Sequence, residues 1–110
     1  MIDWHKVNEL REEIGEEDFA EVVDLFLEEV EGAIQELRNG VEESQLECNL
    51  HFLKGSALNL GFRDFSTLCA DGEVAAAAKE YDRIDLSQVI QIYDQSKNVF
   101  LTKLQAQQVA

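Results

Sequence analysis

Leu46, Leu50, Leu53, Ala57 and Leu60 recur at intervals of four, three, four and three residues. That spacing gathers them on one face of an α-helix and splits them between the two faces of a strand. The same period governs Phe19, Val22, Val23, Phe26, Val30, Ile34 and Leu37 earlier in the chain. No proline interrupts either run, and glycine is sparse at six residues in 110. Proline is the residue that most strongly breaks a helix interior, so its absence favours long, uninterrupted helices. An all-α fold follows, and a chain of this length builds one domain around one hydrophobic core.

Five helices are predicted. The first runs from Asp3 to Ile14, turning Val7, Leu10, Ile14 and Trp4 inward, and Gly15 breaks it. The second runs from Glu17 to Asn39, with acidic residues in its first turn to complement the helix dipole and Gly40 as its stop. The third opens at Ser44, where Ser44 and Glu47 have the spacing of a capping box, and ends at Leu60. Gly61 after it suits the left-handed position past a helix end, with Phe62 as the apolar residue beyond. The fourth begins at Asp64 as N-cap and buries Phe65, Leu68, Cys69, Gly72, Ala75 and Ala76. The fifth begins at Asp85, with Gln88 completing a second capping box, and buries Leu86, Val89, Ile90, Tyr93, Phe100 and Leu104. Short connections between long helices favour antiparallel neighbours. The expected architecture is an antiparallel up-down four-helix bundle with a short additional N-terminal helix, one domain over residues 1–110.

The third helix also carries a polar constellation. His51 lies about 130° to 140° from the centre of the apolar stripe at about 100° per residue, so it faces outward. Lys54 and Gly55 are its neighbours three and four residues on, and Leu58 lies two turns away on nearly the same face. One patch therefore carries a nucleophile, a cation and a bare spot. Glycine in a helix interior costs about 1 kcal/mol relative to alanine. Close approach of a partner to His51 is one reason for Gly55, and close packing against a neighbouring helix is the other.

The run His51-Phe52-Leu53-Lys54-Gly55-Ser56-Ala57-Leu58-Asn59-Leu60-Gly61 resembles the motif H-x-L-K-G-S-A-x-x-L-G of histidine-containing phosphotransfer domains, matching at all eight fixed positions. Leu68-Cys69 and Glu73 are similar to that family's L-C and L-E positions in the next helix. Gly72 departs from the family pattern, standing where a leucine is usual. The resemblance in length and helix pattern extends over nearly the whole chain. It implies that His51 accepts a phosphoryl group, at Nε2, and that a partner supplies the remaining parts: a receiver domain with a phospho-accepting aspartate and bound Mg²⁺, or a hybrid histidine kinase upstream.

The chemistry agrees with a carrier. A free imidazole has a pKa near 6.5, so much of it is neutral and nucleophilic near neutral pH. Lys54 is placed to offset the charge of a phosphoryl group on the ring. Glu73 is a candidate to hydrogen-bond the imidazole and orient it, and a solvated glutamate is the alternative. Gly55 and Leu58 are candidates for docking the partner. The chain has no Gly-rich phosphate loop and no kinase signature, so no ATP site or kinase activity of its own is expected, and no cofactor. His5 lacks a comparable surround and reads as a surface histidine.

Charge and cysteine content narrow the other classes. The net charge is −14. Residues 1–48 hold sixteen acidic and three basic side chains, against seven and six in residues 49–110. This acidity keeps a protein soluble and repels nucleic-acid phosphates, and it can also select a partner by its field. Cys48 and Cys69 are too few for a disulfide framework. Cys48 and His51 form a C-x-x-H pair without the further ligands a zinc site needs, so no metal is expected. Paired E-x-x-H motifs of di-metal bundles are absent from the sequence. No apolar run approaches the roughly 20 residues that span a bilayer, and the N-terminus does not read as a signal peptide. A cytoplasmic, free-standing monomer is the expectation. The runner-up reading is a non-catalytic helical adaptor that binds and regulates a kinase or receiver domain.

Overall fold

The computed structural model describes residues 1–109, with side chains through residue 106. It contains five α-helices: α1 (Trp4–Ile14), α2 (Glu16–Asn39), α3 (Glu43–Leu60), α4 (Arg63–Ala77) and α5 (Leu86–Val109), with one turn of 3-10 helix at Tyr81–Arg83 between the last two. A single isolated bridge pairs Ile2 with Phe62, and no strand forms among the described residues. α2 packs on α3, α3 on α4, α4 on α5 and α5 on α2, so the four long helices close a ring, with α1 laid on α2 and α3.

The helix ends follow local chemistry, in two places differently from the sequence expectation. The Asp3 carboxylate accepts the Lys6 backbone N–H at 3.3 Å and caps α1. Glu16, Glu17 and Asp18 fill the first turn of α2, where negative charge meets the dipole. The Ser44–Glu47 capping box does not form. Glu42 is extended and α3 starts at Glu43 without a side-chain cap, so Ser44 already lies inside the helix, past the position from which a hydroxyl caps. Likewise, Asp64 is a first-turn residue of α4 rather than its cap. The reason is the tightness of the turn before it. Gly61 takes the left-handed conformation (φ +79°), and the Phe62 N–H returns to Ala57 O at 2.9 Å, so α4 begins directly after Phe62. At α5 the expected Asp85 cap is present, its carboxylate accepting the Gln88 N–H at 3.1 Å.

The core is aromatic at its centre. Phe62 meets Phe100 at 5.2 Å between ring centroids and Phe65 meets Tyr93 at 5.3 Å, while Trp4 stacks on Phe100 at 5.8 Å. Leu50, Leu53, Ala57 and Leu60 of α3 are buried, as their spacing requires. Arg38 grips Asp94 with two bonds of 3.0 and 3.1 Å, and Glu31 takes Lys97 and the Tyr93 hydroxyl. These contacts tie α2 to α5. The N-terminal residues are bound into the α3–α4 turn: the Asp3 N–H donates to Gly61 O at 2.7 Å and the Arg63 N–H to Met1 O at 3.1 Å. No helix among the described residues is long and apolar enough to cross a membrane.

Candidate functional site

The site is built on the contact between α3 and α4. Gly72 of α4 has no side chain, and a Cβ there would lie 3.0 Å from Leu50 Cδ1 and 3.8 Å from Ile84 Cγ2. The two helices therefore meet closely at Leu50 and Gly72. The departure from the family pattern at Gly72 has a packing consequence: it lets α4 approach α3 in this register. The next residue on each helix then faces its counterpart. His51 Nδ1 lies 2.8 Å from Glu73 Oε2, and the other carboxylate oxygen, Oε1, lies 2.7 Å from Lys54 Nζ.

Glu73 thus bridges the histidine and the lysine. The Lys54 hydrogen bond foremost, and then that of His51, hold its carboxyl below the usual carboxylate range, against the upward push of partial burial. An ionised carboxylate only accepts hydrogen bonds. The ring nitrogen facing it must therefore carry the proton, which assigns Nδ1–H to His51 and leaves the Nε2 lone pair free. The imidazole is 68% exposed whereas Glu73 is 20% exposed, so the half-buried base holds a ring that projects into solvent.

The other residues singled out from the sequence fall around this bridge. Lys54 is engaged with Glu73 rather than standing free beside the ring. Gly55 faces open space: a Cβ there would meet nothing within 4 Å among the described residues. The packing explanation for Gly55 therefore does not hold. Leu58 is 54% exposed and borders a shallow depression shared with Lys6, Asn59 and Arg63. His5 is exposed on α1 and pairs with Glu9 at 3.0 Å, away from the bridge. Cys48 is exposed and Cys69 buried, both as free thiols, and burial pushes the Cys69 thiol up to about 12. No group of three or more His, Cys, Asp or Glu is arranged to hold a metal among the described residues.

Two residues beside the site escaped the sequence reading. Leu25 of α2 and Phe52 of α3 are large, apolar and exposed, and both line an open groove of about 860 Å³ between α2 and α3. The available signal was that both lie off the apolar stripes of their helices.

An Nδ1 held by a carboxylate, a ring that is largely exposed and a lysine within one turn make a nucleophile suited to accepting a phosphoryl group. A family model described as Hpt domain matches residues 21–106, a span that contains the whole constellation. No curated protein and no solved structure matches the chain significantly.

Proposed function

The chain belongs to the Hpt domain family, whose members carry phosphoryl groups in two-component phosphorelays, and on that premise we propose that His51 is the phosphoryl carrier of this protein. The observation that carries the reading is the Nδ1–Glu73 hydrogen bond, which leaves Nε2 as the nucleophile. The partner is a receiver domain whose phospho-accepting aspartate and Mg²⁺ supply the rest of the chemistry, charged in turn by a hybrid histidine kinase. We read the four long helices as an antiparallel up-down bundle, the chain as one domain, and the protein as a cytoplasmic monomer.

The Nε2 lone pair attacks the phosphorus of the aspartyl phosphate, a P–N bond forms, the acyl P–O bond breaks, and the aspartate leaves as a carboxylate. The ring keeps its Nδ1 proton and gains a positive charge. Glu73, already in place beside Nδ1, stabilises that charge without reorganising. Lys54 has three donors; one serves Glu73 and the others are available to the phosphoryl oxygens as they arrive. Gly55, with open space over it, gives the receiver's backbone room beside His51. Leu58 offers an apolar contact on the same face. Transfer in the opposite direction uses the same groups, with the partner's aspartate as nucleophile.

The test is transfer from a panel of phosphorylated receiver domains to the native protein and to His51→Gln. Rapid, Mg²⁺-dependent, acid-labile labelling of the native protein alone supports the carrier. Binding of a receiver that is equal with and without His51, and never accompanied by labelling, makes the protein an adaptor.

A further inference from the structure

We propose that the depression at the α3–α4 turn binds a small phosphate oxyanion, either inorganic phosphate or the terminal group of a phosphomonoester. The site is separate from the phosphotransfer centre and does not depend on the carrier reading of His51. Leu58, at its edge, lies two turns from His51, about 10 Å along α3. The depression holds about 340 Å³ and takes Lys6 from α1, Leu58 and Asn59 from α3, and Arg63 and Ser66 from α4.

Ser66 points to an occupant. It is only 7% exposed, it lines the depression, and its hydroxyl hydrogen-bonds to no described residue. The neighbouring Thr67 differs, since its Oγ1 donates to Arg63 O at 3.1 Å. A polar side chain this buried ordinarily has a partner. Here the hydroxyl is left to what enters the depression.

The backbone and the charges around Ser66 favour an anion. α4 begins without a side-chain cap. The Arg63 N–H is taken by Met1 O at 3.1 Å and Gly61 O at 3.0 Å, but those of Asp64 and Phe65 meet no carbonyl among the described residues. The positive end of the α4 dipole therefore stands uncompensated at this corner. Two cations flank it. Lys6 Nζ is 4.0 Å from Glu9 and Arg63 Nε is 3.9 Å from Asp64, both at the outer limit of an ion pair, so each keeps donors for a further acceptor. Asp64 is also drawn to the Met1 ammonium at 3.8 Å. Against the two cations the lining holds one carboxylate, Asp3, which already caps α1 by accepting the Lys6 N–H at 3.3 Å.

On a chain of net charge −14, whose α2–α3 groove is lined by Glu28, Glu29 and Glu36, this depression has a positive balance. A phosphate accepts hydrogen bonds from several donors at once, and a guanidinium, an ammonium and a hydroxyl are groups that supply them. Leu58 and Ala57 give the remaining wall an apolar surface, which fits the organic part of an ester. Because the donors come from both α1 and α4, an occupant ties the N-terminal helix to the α3–α4 turn and stabilises the fold by mass action.

The test is a titration of the full chain with sodium phosphate, against sodium chloride at equal ionic strength and pH 7.5, followed in ¹H–¹⁵N correlation spectra. Saturable shifts at Lys6, Gly61, Arg63 and Ser66 are expected, half-complete on the order of 1–10 mM. The thermal midpoint should rise with phosphate and not with chloride. Arg63→Gln and Lys6→Gln should each weaken binding about tenfold, and Ser66→Ala should weaken it less. Lys6→Gln leaves the start of α4 unaltered, so it decides the matter if either α4 variant disturbs the fold. Phenyl phosphate separates the two sources of the oxyanion. Tighter binding than inorganic phosphate, with added shifts at Leu58, assigns the site to a phosphomonoester, and equal affinity assigns it to free phosphate. Shifts no larger than those with chloride, shifts centred on His51 and Lys54, or an affinity unchanged in the folded variants would overturn the inference.

Discussion

His51 Nδ1 and Glu73 Oε2 face each other at 2.8 Å across the α3–α4 contact, one residue beyond the point where Leu50 packs over Gly72. The chemistry of the imidazole is thus set by helix packing. The closeness of two backbones decides whether a carboxylate reaches the ring, and the carboxylate decides which nitrogen is free.

Removing the carboxylate tests this link. A hydrogen bond to a charged group contributes about 1.5–3 kcal/mol, which corresponds to about a 10- to 150-fold change in rate. Glu73→Ala should slow phosphoryl transfer to His51 within that range. Glu73→Gln, which can still accept from Nδ1–H through its carbonyl but cannot neutralise the ring, should fall between Ala and native. Quenched-flow transfer from one phosphorylated receiver checks the order.

Two glycines should respond in opposite ways. At Gly55 an alanine Cβ enters open space, so Gly55→Ala should raise stability by about 0.8–1 kcal/mol through helix propensity. A bulkier Gly55→Leu should leave the fold intact and slow transfer by obstructing the partner. At Gly72 a side chain drives into Leu50; Gly72→Leu should destabilise by about 1–3 kcal/mol and also pull Glu73 from His51. Thermal melts together with transfer rates distinguish the pair.

Gly61 is required by backbone geometry. Its φ is +79°, and a Cβ there would lie 2.7 Å from the Asp3 carbonyl oxygen. The left-handed conformation alone costs a non-glycine residue about 1–2 kcal/mol, and the contact with backbone adds to it. Gly61→Ala should lower stability by at least that much in urea unfolding, and should loosen the N-terminal residues bound to the α3–α4 turn.

The Glu73 bridge also predicts a pH dependence. The carboxyl is held below its ordinary range, first by Lys54, so the folded state favours its ionised form. Its contribution to stability is therefore fully present above the unfolded value of about 4.3 and is lost as pH falls through the lower folded value. Native protein should exceed Glu73→Gln in stability by up to about 1 kcal/mol near pH 7. The gap should close in acid, as measured by urea unfolding at a series of pH values.

The α3 stripe was legible because burial on one face of a helix imposes a period, and Leu50, Leu53, Ala57 and Leu60 obey it. His51 stood out because it breaks that period beside a lysine and a glycine. The Ser44 capping box misled because capping depends on where the chain turns extended, and that happens at Glu42. The end of α4 was illegible for a similar reason. Lys79 takes a positive φ of 61°, a conformation that glycine or asparagine would have announced. Glu73 could be suspected but not assigned from the sequence, since its reach to His51 depends on how closely α4 approaches at Gly72. Leu25 and Phe52 do not stand out in the sequence because exposed apolar residues are common singly; only their convergence on one groove distinguishes them.

The chemistry proposed for His51 turns on the state of its two ring nitrogens. Two-bond proton–nitrogen correlation spectra of ¹⁵N-histidine protein, recorded at pH 8 before and after phosphorylation, report that state. The predicted result is an Nδ1–H tautomer for His51 in the resting protein and a P–N linkage at Nε2 after transfer, with His5 unchanged. An Nε2–H tautomer at rest, or a phosphoryl group on Nδ1 or on His5, would contradict it.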